Sequence, residues 1–117
     1  MAAGYQNIYL NQGDTFTLQT TLTDDYGNPF NLNGYTVQSV GKQSYYSTSP
    51  SIIFTSTITD ASNGVIQLSA NSQVTANVPT IPVNKMVYDV IITDTQGNVT
   101  RVLEGQVIIS PGVTLWK

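Results

Sequence analysis

Apolar side chains recur at every second residue along most of this chain, a period that fits half-buried strands and excludes long amphipathic helices. In residues 15–22, Phe16, Leu18 and Leu22 fall on one face, while Thr15, Thr17, Gln19 and Thr21 fall on the other. Residues 35–42 repeat the pattern with Tyr35 and Val37, residues 51–59 with Ile52, Phe54 and Ile58, and residues 65–70 continue it. Residues 85–93 are the most apolar, with Met86, Tyr88, Val90 and Ile92 on one face and Val87 and Ile91 on the other, which predicts a central strand covered on both sides. Residues 99–110 set Leu103, Val107 and Ile109 opposite Glu104 and Gln106. With the short Ile8-Tyr9-Leu10 segment the count reaches seven strands.

Turn residues fall between these segments: Asp24-Asp25-Tyr26-Gly27-Asn28-Pro29, Asp60-Ala61-Ser62-Asn63-Gly64 and Asp94-Thr95-Gln96-Gly97-Asn98. In each, an Asp can accept hydrogen bonds from nearby backbone N–H groups and a Gly frees the chain to adopt positive φ. Residues 71–78 alone have helical spacing, and Pro79 and Pro82 limit them to a turn or two that connects sheets. Seven short strands in 117 residues predict one domain, an antiparallel immunoglobulin-like β-sandwich. A short N-terminal arm (1–7) and a C-terminal tail (111–117) flank it. A closed β-barrel is the alternative. Tyr88, leading the penultimate strand, is either a tyrosine corner bonded back to the backbone or a plain core side chain. With no Cys, and with Trp116 its single Trp, the chain cannot be an antibody-type domain with a Cys-Trp-Cys core.

Composition removes whole classes of chemistry. Without His or Cys there is no Ser-His-Asp catalysis, no thiolate nucleophile and none of the usual zinc ligands. Four basic against seven acidic residues give a net charge of −3, which disfavours nucleic acid as a partner. No apolar run approaches the roughly 20 residues of a membrane helix, and residues 1–6 have neither the basic nor the apolar stretch of a signal peptide. Phosphate loops, nucleophile elbows and dinucleotide fingerprints are all missing from the sequence.

What remains for catalysis is paired acids, and these are poorly arranged for it. Asp24 and Asp25 are adjacent, so they point in different directions and cannot flank a glycosidic bond. The Asp-then-Gly turns are explained by turn chemistry, with a calcium site as the lesser alternative, since hard cations need several clustered oxygens. Asp89 and Arg101 fall where a cross-strand pair, with Glu104 beside it, would fix sheet register. The expectation is a protein that is not an enzyme and takes no cofactor or metal. Asn98-Val99-Thr100 matches the glycosylation sequon but has no secretory context.

Candidate contact residues are aromatic. Tyr45 and Tyr46 lie in a Ser-rich loop, Tyr26 in a turn and Tyr5 in the N-terminal arm. The tail leaves the last strand through Pro111-Gly112 and ends in Leu115-Trp116-Lys117, a segment that either folds back or docks on a neighbour; docking is the favoured reading. Charged residues are only 9% of the chain, while 45 of the 117 residues are Thr, Ser, Asn or Gln. A surface of that kind pairs with a neighbour without stripping water from ions, as subunits of a particle do, and equally suits an adhesin module.

The run Gly13-Asp14-Thr15-Phe16-Thr17-Leu18, the segment from Leu22 to Leu32 with Asp24-Asp25-Tyr26-Gly27-Asn28-Pro29, and Gly34-Tyr35-Thr36-Val37 together resemble the immunoglobulin-like domains of tailed-phage virions. The similarity continues through residues 63–69, 75–77, Tyr88-Asp89-Val90 and 97–105, from about Ile8 to Thr114. These domains include the N-terminal domain of baseplate upper proteins and small structural proteins of phages infecting marine cyanobacteria. The resemblance implies a β-sandwich with a structural role and no catalytic residues. Baseplate upper proteins carry further domains after this one, so these 117 residues point to a free-standing accessory subunit, first of all a capsid decoration protein. Its expected partners are other virion proteins, the major capsid protein foremost, with self-association also open; its expected location is the phage particle. A tail, neck or baseplate component is the nearest alternative. A glycan-binding module using Tyr26, Tyr45 and Tyr46 as stacking platforms is the runner-up of a different class.

Overall fold

The computed structural model describes residues 4–46, 50–78 and 85–111. These form eight strands and one short helix: β1 (Gly4–Tyr5), β2 (Ile8–Asn11), β3 (Phe16–Thr21), β4 (Thr36–Lys42), β5 (Ile52–Asp60), β6 (Val65–Ala70), α1 (Ser72–Ala76), β7 (Lys85–Thr93) and β8 (Val99–Ser110). The alternation produces the strands as expected, but β7 is covered on one face only, because among the described residues the outer side of the sheet has no second layer over Val87 and Ile91. On β7 each even-numbered residue from Met86 to Ile92 is buried, and the odd-numbered ones are half-buried or exposed. Leu22 and Tyr35 lie just outside their strands but still pack on the core.

The strands follow the order β1-β8-β7-β4-β5-β6-β3, with β2 also on β8. β5 is the seam. Its first residues, Ile52 to Phe54, pair with β4, and the rest, from Thr55, pairs with β6. One long strand therefore belongs to both halves, and the sheet curls over itself around a single core. Phe16 of β3, Phe54 of β5 and Tyr88 of β7 run across that core as an aromatic chain, with ring centroids 5.7 and 6.4 Å apart.

Three further details correct the sequence expectation. The sheet is mixed rather than antiparallel, because β1 and β2 both run parallel to β8. There are eight strands rather than seven, since Gly4–Tyr5 of the N-terminal arm pairs with Leu103 and Glu104. Third, the described strands join in one connected sheet that curls into a half-barrel. Connectivity explains the parallel seat. β2 must deliver the chain to Phe16, which pairs with Ala70 just before α1. Gln12 Nε2 donates to the Ala76 and Val78 carbonyls at that same end, and Asn11 lies opposite Ser110 at the end of β8. A strand that covers β8 and finishes where β8 finishes can only run parallel to it.

The helix forms where residues 71–78 predict it. The Asn71 side chain caps it by accepting from the Val74 N–H at 2.9 Å, and it links β6 in one half to β7 in the other. Fully buried Thr75 ties it down: its hydroxyl donates to the Asp14 carbonyl at 2.6 Å and accepts from the Gly13 N–H at 3.1 Å.

Candidate functional site

The acidic turns are structural. Asp24 Oδ1 accepts from the Tyr26 and Asn28 N–H groups, and Asp94 Oδ1 accepts from those of Gln96 and Asn98. Asn98 Nδ2 donates to Asp94 Oδ2 at 3.0 Å, and Asn63 Nδ2 donates to Asp60 Oδ2 at 2.8 Å. Those bonds, the Asn98 amide foremost, hold the Asp94 carboxyl below its ordinary pKa. Among the described residues no group of three or more His, Cys, Asp or Glu side chains is placed to hold a metal ion. No helix in the same set is long and apolar enough to cross a membrane.

The aromatic candidates do not form one surface. Tyr26, Tyr45 and Tyr46 each leave more than four fifths of their surface exposed, and Tyr5 two thirds. Tyr26, however, lies in the connection that enters β4, whereas Tyr45 and Tyr46 follow its last residue. The seven residues of β4 separate them by roughly 20 Å. Leu115 and Trp116 lie outside the described residues.

Register places the strand charges together instead. Tyr5, Glu104, Asp89, Val40 and Ile53 are successive partners across β1, β8, β7, β4 and β5, so they form one row on the outer face of the sheet. Asp89 and Glu104 are directly opposite, a repulsive pairing on its own. Arg101 resolves it: Nε lies 3.2 Å from Asp89 Oδ2 and a terminal nitrogen 3.2 Å from Glu104 Oε2. The expected Asp89–Arg101 pair is therefore present, and Glu104 joins it.

A β-bulge makes this cluster possible. Val90 pairs with Leu103 but Ile91 pairs with Arg101, so Val102 is an extra residue in β8. Positions 101 and 104 would face opposite sides of a regular strand; the extra residue returns Arg101 to the face of Glu104. A hollow of about 250 Å³ lies beside the cluster. Tyr45 and Lys42 line one part of it, and Val40 and Val87 contribute aliphatic surface. The sequence marked Asp89, Arg101, Glu104 and Tyr45 but missed Val40, Lys42 and Val87, whose outward phase on neighbouring strands is the one signal they carry.

The other half of the sheet contrasts with this face. Its first two outward rows, Thr17, Ser69 and Thr55, then Gln19, Gln67 and Thr57, are uncharged, and the third, Thr21, Val65 and Asp60, carries one carboxylate at the end of β5. β3 pairs on one side with β6, and its other edge is open among the described residues. No protein-family model matches the chain, and no curated protein matches it significantly.

Proposed function

We propose that this chain is a non-catalytic structural subunit of a tailed-phage particle, a capsid decoration protein built on an immunoglobulin-like β-sandwich. The fold reading is supported by the order β3-β6-β5 in one half and β4-β7-β8 in the other, which matches the two sheets of such sandwiches. The observation that carries the function is the charge-poor outer face of β3, β6 and β5, where Asp60 at the end of β5 is the one charge, with its open β3 edge. Free edges in soluble proteins are normally blunted by Lys, Pro or a bulge. The β3 sequence, Phe-Thr-Leu-Gln-Thr-Thr, has neither Lys nor Pro, and its register with β6 runs without a bulge. Such an edge accepts an extended segment of a neighbouring virion subunit by strand addition, with no ion to desolvate. The exposed Tyr26 adds an aromatic anchor, the Leu115-Trp116 tail, outside the described residues, is the further docking candidate from the sequence, and repetition over a symmetric shell converts weak single contacts into firm occupancy.

Quantitative mass spectrometry of purified particles tests this reading. Copy numbers comparable with the major capsid protein support decoration, whereas about six to a few dozen copies per particle move the subunit to tail, neck or baseplate. Absence from the particle refutes the proposal.

A further inference from the structure

The hollow beside Arg101 has the chemistry of a small-ligand site on the face away from the charge-poor one. Ligand sites combine apolar lining with a few convergent polar groups. Here Val40 and Val87 give the apolar part, and the exposed Tyr45 phenol adds an aromatic surface. The polar part is balanced: Lys42 and Arg101 against Asp89 and Glu104. No net field therefore selects an anion or a cation. Instead, a guanidinium held between two carboxylates presents donors and acceptors side by side, the pattern that adjacent hydroxyl groups of a polyol meet as both acceptor and donor. The aliphatic C–H face of a sugar ring packs on an aromatic surface for the same reason that other apolar groups do. The bulge at Val102 carries the argument furthest, because bulges re-aim side chains at functional sites and this one brings Arg101 onto the side of Asp89 and Glu104.

We propose that this hollow binds a neutral pyranose ring, with Tyr45 as the stacking surface and the Asp89–Arg101–Glu104 cluster as the hydroxyl-recognising group. The site is independent of particle assembly, so a negative particle census leaves it standing and a negative sugar titration leaves the particle reading standing.

The test is NMR titration of the full chain with methyl pyranosides of the glucose, galactose, mannose and N-acetylglucosamine types, to about 50 mM each, the range in which a single ring on an open site binds. The expected result is saturable shifts at Val40, Val87 and Glu104 with at least one of the four. Tyr45→Ala should weaken that binding about tenfold or more, and Arg101→Gln likewise, while Gln96→Ala in the distant turn leaves it unchanged. Tyr45 is an exposed loop residue, so its variant tests the site without testing the fold. No shift with any of the four sugars overturns the proposal. Binding that survives Tyr45→Ala overturns it too, as does tighter binding of a uronic acid than of its neutral counterpart.

Discussion

Gly105→Ala should be among the most damaging single-methyl changes in this protein, for reasons of space rather than backbone freedom. Gly105 is buried on β8 opposite Tyr88, beneath the segment linking β1 to β2. A Cβ there would overlap the Gln6 carbonyl oxygen, lie 2.8 Å from the Gln6 carbonyl carbon and sit 3.2 Å from Tyr88 Cε1. The obstacle is main chain, so no side-chain rotation relieves it. Gln6 is also held on both sides: its N–H donates to the Glu104 carbonyl at 2.9 Å, and its carbonyl accepts from the Tyr88 hydroxyl. Overpacking costs about 1–3 kcal/mol, and breaking two partly buried hydrogen bonds adds about 1 kcal/mol each, giving roughly 3–5 kcal/mol in all. For a domain of this size that is a fall of about 10–20 °C in Tm. Urea unfolding measures the loss, and amide exchange should show faster opening at Ile8 and Leu10 than at Ile66 and Leu68. Gly97→Ala is the control: its φ is +86° but nothing lies within 4 Å of the new Cβ, so it pays only the left-handed strain of about 1 kcal/mol. A Gly105→Ala loss no larger than the Gly97→Ala loss would refute the argument that β1 and β2 are locked onto β8 at this point.

Burial, reinforced by the nearby Tyr5 phenol, pushes the Tyr88 hydroxyl from 10.0 up to about 12. The folded state thus holds this proton more tightly, and the resulting roughly 2–3 kcal/mol is present below pH 10 and lost as pH rises through 12. Urea melts across that window should show the decline, and Tyr88→Phe should flatten it. The Asp94 carboxyl is depressed, so its stabilising contribution is present above the ordinary 3.8 and disappears as pH falls through its folded value. Asn98→Ala should bring its NMR titration midpoint back up toward 3.8, and an unmoved midpoint would contradict the assignment. Gln19→Lys, exposed in the middle of β3, should change stability by no more than about 0.5 kcal/mol yet lower occupancy on particles in a sedimentation assay.

What the sequence made legible is what local chemistry decides. The phase of β3, β5, β6 and β7 follows from side-chain alternation, and the three Asp turns follow from the reach of a carboxylate to backbone N–H groups two to four residues on. The parallel seat of β1 and β2 was not legible. The alternation of Ile8, Tyr9 and Leu10 says that one face is buried but not which edge buries it, or in which direction. Tyr88 shows the same limit: of the two readings its position left open, the hydroxyl does bond to backbone, but the acceptor, Gln6, is 82 residues away and could not be named from the sequence. The hollow was visible only in part, because Val40, Lys42 and Tyr45 reach it from a strand and loop far from β8 in sequence.

The bulge lies between these cases, and the sequence does contain its cause. In residues 99–104, Val-Thr-Arg-Val-Leu-Glu, two apolar side chains are adjacent, so strict alternation must misplace one of them. With Leu103 inward and no bulge, Val102 would point to solvent and Arg101 into the core. Burying an unpaired guanidinium costs several kcal/mol, more than one interrupted ladder position does. The extra residue avoids that cost: Val102 and Leu103 are both buried, and Arg101 stays exposed beside its two carboxylates. Core burial and the outward charge cluster are thus satisfied by the same one-residue shift, so an Arg101→Val change, which removes the charge that must stay outside, should free β8 to adopt the regular register. Loss of the Val90–Leu103 to Ile91–Arg101 offset in the variant's cross-strand NOE pattern is the expected result, and an unchanged offset would show that Val102 and Leu103 alone enforce the bulge.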